Sequence, residues 1–225
     1  MALSQVDVCN LALSRIGGHG ISQITSLGEA STEARQCAVK FPYVLASALR
    51  AYPWHFATKE IVLALLGCCG AAEHFLENDI FYRNLHYYQY PEECMRILAL
   101  NPAAGKKGNH FAPAYDYTVE RISDGTKAIV TSCPQAVLTC TSYSEDPSIW
   151  DSLFTDAFAW QLAGELCLSF GGALDTVRTL REIADRAFEK AKSRDCGEEA
   201  AYTVPNIWRR GNNGVSWFSK QFHGR

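Results

Sequence analysis

The chain has 225 residues, 48% hydrophobic and 20% charged, an ordinary globular composition with enough length to bury a sizeable core in one or two domains. Its 24 acidic and 21 basic residues leave a formal charge of −3, which removes the electrostatic reason to expect a general binder of nucleic acid or of anionic membrane. Apolar runs such as residues 61–66 fall far short of the ~20 residues that cross a bilayer, and the start Met-Ala-Leu-Ser-Gln-Val-Asp lacks the basic and apolar regions of a secretion signal, so the chain is expected to stay where it is made.

Val6, Cys9, Leu13 and Ile16 stand at helical spacing. They predict a short amphipathic helix over 3–17, with Ser4 as N-cap, Asp7 three residues on and Gly17-Gly18 as the stop. Ser31 can cap a second helix whose apolar face runs Ala34, Cys37, Ala38, Phe41, Leu45, Ala48, Leu49 and Tyr52. Pro42 lies inside it and predicts a kink or break near 39–41, because proline lacks the amide hydrogen and clashes with the preceding turn.

From Lys59 the pattern changes to branched and aromatic residues with frequent turn signals. Strands are expected over 61–65, 80–88, 95–100, 115–122, 127–132 and 136–143. Ser123-Asp124-Gly125-Thr126 marks a β-hairpin, and 101–113, with Gly105, Gly108, two lysines and two prolines, reads as a loop. Helical spacing returns at Asp146-Pro147-Ser148, a capping cluster. There Trp150, Leu153, Phe154, Ala157, Phe158, Gln161, Leu162 and Leu166 form a stripe wide enough to be buried on more than one side, stopped by Gly171-Gly172. A last helix over 175–194 repeats Val177, Leu180, Ala184, Ala187, Phe188 and Ala191. Beyond Glu199 no period survives. That tail holds Arg209, Arg210, Lys220 and Arg225 and no acid, so it carries +4, whereas residues 1–199, with 17 basic and 24 acidic residues, carry −7.

The nine cysteines have no Cys-x-x-Cys spacing, and Cys9, Cys37 and Cys167 sit on apolar stripes. All nine read as thiols, with neither a disulfide framework nor a zinc site. Phosphate-loop signatures are missing, Gly17-Gly18-His19-Gly20 reads as a turn, and the six histidines show no metal-ligand spacing. His55, between Trp54 and Phe56, is expected to be packed or hydrogen-bonded, while Glu92 and Glu93, being adjacent, diverge on any regular backbone and make a poor acid/base pair. Neither a catalytic set nor a cofactor is expected.

Two aromatic clusters stand out. In Tyr52-Pro53-Trp54-His55-Phe56-Ala57 the proline pushes Tyr52 toward an extended backbone directly after a helix, so Tyr52, Pro53, Trp54 and Phe56 read as a structural hinge that brings large rings to one place. Tyr87-Tyr88-Gln89-Tyr90-Pro91-Glu92-Glu93-Cys94-Met95-Arg96-Ile97 is the second; with few basic residues beside it, it makes a weak case for base stacking.

At these residues the sequence resembles the podovirus tail tubular protein A family, the head-to-tail adaptor (connector) proteins of tailed bacteriophages. The resemblance runs from about Val6 to Glu199 through Asn10-Leu11-Ala12-Leu13, Ile16-Gly17, Ile24, Ser26-Leu27, Ala34, Cys37, Tyr52 to Ala57, Tyr90-Pro91, and Cys94 to Ile97. It ends in Trp150-Asp151-Ser152-Leu153-Phe154, Ala157, Leu162-Ala163 and Glu165-Leu166. Cys68-Cys69-Gly70 and the stretch from Gly105 to Gly108 depart from it.

The resemblance implies an α+β fold in which the N- and C-terminal helices (1–58 and 146–199) form one helical bundle with an inserted antiparallel β-rich lobe (59–145), followed by an extended C-terminal tail (200–225). It implies a non-enzymatic virion component at the head-tail junction, assembled in the host cytoplasm. The component is a homo-oligomer, commonly a dodecameric ring, between the portal protein and the tail nozzle protein, with double-stranded DNA passing through without sequence-specific binding and no membrane contact. An acidic body suits a channel through which phosphates slide. In the tail, Trp208, Arg209, Arg210, Trp217, Phe218, Lys220 and Phe222 are the residue types that anchor interfaces, and they are expected to bind the portal or a neighbouring subunit, with folding back on the chain's own helices as the alternative. The rival functions are a tail-associated cell-wall hydrolase, which lacks an evident carboxylate pair, and a cytosolic DNA-binding regulator, which the net charge disfavours.

Overall fold

The computed structural model describes residues 3–17, 22–69, 85–103, 115–122 and 125–198. Gly18 to Gly20, the stretch 104–114, Ser123-Asp124 and the whole tail lie outside them. The fold is mixed α+β, with antiparallel sheets between N-terminal and C-terminal helices.

Helix α1 (Gln5–Ile16) starts at a capping box: Ser4 Oγ accepts from the Asp7 amide and the Asp7 carboxylate accepts from the Ser4 amide. Gly17, at φ +61°, ends it, in a conformation that favours glycine. The buried face is Val8, Cys9, Ala12, Leu13 and Ile16, with Val6 only half-buried. Asn10 then pins the following loop, its side chain donating to the Ile24 carbonyl at 2.9 Å and accepting from the Ile24 amide at 2.8 Å.

Helix α2 (Thr32–Ala51) is capped by Ser31 and runs unbroken through Pro42. The expected break does not occur. Proline's fixed φ is itself helical, and the carbonyl it leaves unpaired belongs to Ala38 on the exposed face, where water can meet it. Val44 takes the buried place expected of Ala38.

A short 3₁₀ turn, His55–Ala57, leads into β1 (Thr58–Val62), followed by β2 (Leu65–Cys69), β3 (Leu85–Gln89), β4 (Cys94–Pro102), β5 (Tyr117–Arg121), β6 (Lys127–Thr131) and β7 (Ala136–Ser142). Two antiparallel sheets result, ordered β1-β7-β4 and β2-β3-β6-β5. The single strand expected over 61–65 is thus two strands in different sheets. The chain crosses between them at Leu63-Ala64, where the Leu63 amide donates to the Ala136 carbonyl and the Ala64 carbonyl accepts from the Gln89 amide.

Leu63 is buried with Tyr88, Leu100, Ile129, Leu138 and Cys140 in a core shared by both sheets. Strand β7 is buried along nearly its whole length as the middle strand of its sheet, while β5 is an exposed edge. The β5–β6 hairpin closes on Arg121 opposite Lys127, with Gly125 at φ +86°. Asn101 and Pro102, expected in a loop, extend β4.

Asp146 caps a separate 3₁₀ turn, Pro147–Ile149, instead of the helix itself. Helix α3 (Ser152–Ser169) has its own cap, Asp151, which accepts from the Leu153 and Phe154 amides. Helix α4 (Leu174–Glu198) is longer than expected at both ends. Helix α3 packs against α1, α2 and α4, so its wide stripe is buried on several sides, and residues of all four helices join Trp54 and Trp150 in one core. Arg15 ties α1 to α3: its guanidinium donates to the Asp156 carbonyl, pairs with the Asp156 carboxylate and lies 4.2 Å over the Trp160 ring.

Candidate functional site

The segment 52–57 joins the helices to the strands. Helix α2 ends at Ala51, and Tyr52 is extended at φ −146° ahead of Pro53, as proline demands of its predecessor. Trp54 is 1% exposed. Its indole N–H donates to the Ala48 carbonyl at 3.1 Å, in the last turn of α2.

Around Trp54 stand Tyr52 and Phe154, edge-on at 4.8 and 4.9 Å, Phe56 stacked at 6.1 Å and Phe188 tilted at 6.2 Å. The cluster continues through Phe154 to Trp150, Phe158 and Phe41. Rings from α2, the 3₁₀ turn, α3 and α4 therefore meet at the point where the chain turns into β1. Thr58, the first residue of β1, donates its hydroxyl to the Trp54 carbonyl at 2.8 Å and pairs with Thr141 of β7.

The end of α4 is fastened to the same segment. Asp195, 7% exposed, accepts from the His55 backbone amide at 3.3 Å, and its other oxygen lies 2.9 Å from His55 Nδ1. Tyr52 Oη is 2.8 Å from Cys196 Sγ. His55 is hydrogen-bonded, as its aromatic neighbours suggest, but Asp195 escapes a reading of the sequence. The only local signal is its place on the α4 stripe after Val177, Leu180, Ala184 and Ala191, an acid where an apolar residue is expected.

A second junction lies on the strand side. Lys59 Nζ donates to Glu93 at 2.7 Å, and that hydrogen bond, with a weaker one from Ser142 Oγ, holds the Glu93 carboxyl below the ordinary carboxylate value. Glu93 is thereby engaged as a structural partner, in a shallow cleft of about 210 Å³ that also touches Phe56, Tyr143 and Ile149. Arg50, at the end of α2, donates to the Met95 carbonyl of β4 at 2.7 Å.

Cys9, Cys37, Cys94, Cys133, Cys140 and Cys167 are free and buried, and Cys196 is free and exposed. Burial and the neighbouring Cys94 thiol push Cys140 up to about 12, and burial raises Cys133, so both favour the neutral thiol. Among the described residues no group of three or more His, Cys, Asp and Glu side chains can hold a metal ion, and no helix is long and apolar enough to cross a membrane.

Between α2 and α4, both of which rest on α3, lies a groove of about 230 Å³. Ala48 and Ala51 form one wall, Phe188 the other, with Trp54 and Gln161 within it. Gln161 Oε1 is buried beneath the surface, without a hydrogen-bond partner among the described residues.

The structure thus brings Tyr52, Pro53, Trp54 and Phe56 together at one junction; Trp208, Arg209, Arg210, Trp217, Phe218, Lys220 and Phe222 lie outside the described residues. No protein-family model matches the chain, and no curated protein matches it significantly.

Proposed function

We propose that this chain is a structural head-to-tail adaptor of a tailed bacteriophage. In this reading it forms a homo-oligomeric ring, dodecameric as in the family it resembles, seated below the portal protein. The ring continues the DNA channel and receives the tail nozzle protein. The observation that carries the reading is the ordered succession of motifs from Asn10-Leu11-Ala12-Leu13 through Tyr52-Pro53-Trp54-His55-Phe56-Ala57 to Trp150-Asp151-Ser152-Leu153-Phe154.

The roles of those residues support it. Asn10 holds Ile24, Trp54 and Phe56 meet Phe154, and Asp151 starts α3, so the motif residues carry contacts that hold the scaffold. The architecture proposed is a helical bundle of N- and C-terminal helices with an inserted β-rich lobe. The core shared by α1, α2, α3 and α4 supports it, since helices far apart in sequence bury their apolar faces together while the strands between them have a core of their own.

The extended tail, opposite in charge to the body, provides the anchor: its rings fill pockets on the portal or a neighbouring subunit and its arginines pair at the rim. Imaging the pure protein mixed with its portal tests this. A ring coaxial with the portal is expected, with attachment weakened by salt. A chain that never associates with the portal at any salt concentration overturns the proposal, as does lytic activity of the pure protein on cell walls.

A further inference from the structure

We propose that the groove between α2 and α4 is a docking site for the chain's own tail, which seats the Trp208 ring there with Arg209 and Arg210 at its mouth. At about 230 Å³ the groove is smaller than the ~300–1,000 Å³ of drug-sized ligand pockets and fits one bulky side chain. Trp54, Phe188, Ala48 and Ala51 give it an apolar interior. An apolar interior that opens to solvent favours a large ring with one polar edge as its occupant. Tryptophan is the largest such ring, and its indole N–H can face the water at the mouth.

The mouth selects for a cation. Glu189 is already paired with Lys192 at 2.8 Å, whereas the exposed Asp185 has no hydrogen bond or ion pair among the described residues. Trp54 and Trp150 are buried in the core and Trp160 lies under Arg15, which leaves Trp208 and Trp217. Of these, Trp208 is followed directly by two arginines, the residue type that pairs with a carboxylate bidentately while its neighbour occupies an apolar site.

Reach agrees. Lys192, the last groove residue on α4, precedes the end of the helix at Glu198 by about 9 Å along the axis. A random-coil segment as long as Glu198 to Trp208 spans about 17 Å, and a fully extended one ~33 Å. A segment tethered so close meets the groove at an effective concentration near the millimolar range, well ahead of a second copy at ordinary protein concentrations. The docking holds for the free chain whether or not the chain serves as an adaptor; in an adaptor it would keep Trp208 covered until a partner displaces it.

The test uses full-length protein and a fluorescent peptide of residues 203–213. In the Trp208→Ala/Arg209→Ala/Arg210→Ala variant the groove is vacated, so the peptide should bind at least about tenfold more tightly than to the wild-type chain. Adding Asp185→Lys, a change at an exposed position, should cancel the gain. Equal binding by the wild-type and triple-variant chains, a gain that survives Asp185→Lys, or no binding to either overturns the proposal. So does a wild-type chain that sediments as a dimer and gains peptide affinity only on dilution, because the groove would then belong to a second copy's tail.

Discussion

Asp195 and His55, 140 positions apart, are joined twice: one carboxylate oxygen accepts the His55 backbone amide and the other lies 2.9 Å from its ring Nδ1. The last turns of α4 are thereby held to the segment through which α2 hands the chain to β1. Because the backbone amide takes part, the two partners are not equivalent. Asp195→Ala loses both contacts and should destabilise the fold by about 2–3 kcal/mol, in the range of hydrogen bonds to charged groups. His55→Ala keeps the amide contact and should cost about 1 kcal/mol. Urea unfolding of the two variants checks the order; a larger loss for His55→Ala would mean that the ring carries the tie alone.

Trp54 separates packing from hydrogen bonding in the same way. Trp54→Ala empties the centre of the ring cluster and should cost about 3–5 kcal/mol. Trp54→Phe keeps an aromatic ring but leaves the Ala48 carbonyl without its indole donor, for a loss of about 1–3 kcal/mol. Melting temperatures of the two variants, compared with the wild-type chain, read both effects; an unchanged value for Trp54→Ala would show that the cluster does not hold the junction.

Two glycines should respond in opposite directions to the same substitution. A Cβ on Gly164, inside α3, would meet Arg181 Cγ at 3.5 Å and Leu180 Cβ at 3.8 Å, which are ordinary contacts. Gly164→Ala should therefore stabilise by about 0.5–1 kcal/mol through the lower backbone entropy of the unfolded chain. A Cβ on Gly172 would lie 2.2 Å from Cys167 Sγ and 3.0 Å from the Cys167 carbonyl oxygen. Gly172→Ala must displace the turn that ends α3 and should cost about 1–3 kcal/mol, as overpacking does. Thermal unfolding of both variants side by side checks the opposite signs.

The Lys59–Glu93 pair predicts a small acid-sensitive contribution. Its hydrogen bond lowers the Glu93 value in the folded chain, so the unfolded chain binds that proton more readily. The contribution is complete above the ordinary glutamate value of about 4.3 and is lost as pH falls through the lowered folded value. With the side chains 56% and 42% exposed, solvent screening keeps it on the order of 0.5 kcal/mol. The stability difference between wild type and Glu93→Gln should be present at neutral pH, shrink in high salt and vanish in acid; a difference that persists in acid would assign it to packing.

Much of the local structure is legible in the sequence itself. Ser4 with Asp7, Ser31, the Asp-Gly hairpin signal and the glycines after α1 and α3 act through hydrogen bonds and dihedral preferences that close within a few residues, so residue type and spacing suffice to read them. The mixed α+β order and the meeting of rings at 52–57 followed from periodicity and from proline's effect on its neighbour. What only the tertiary structure decided are the contacts between elements far apart in sequence. These are the passage of the chain between two sheets at Leu63-Ala64, the burial of α3 by α1, α2 and α4, the place of Asp195 against His55, and the groove between α2 and α4. Each depends on which faces pack together once the helices and sheets exist. A carboxylate on an apolar stripe looks the same in sequence whether its partner is water or a residue 140 positions away.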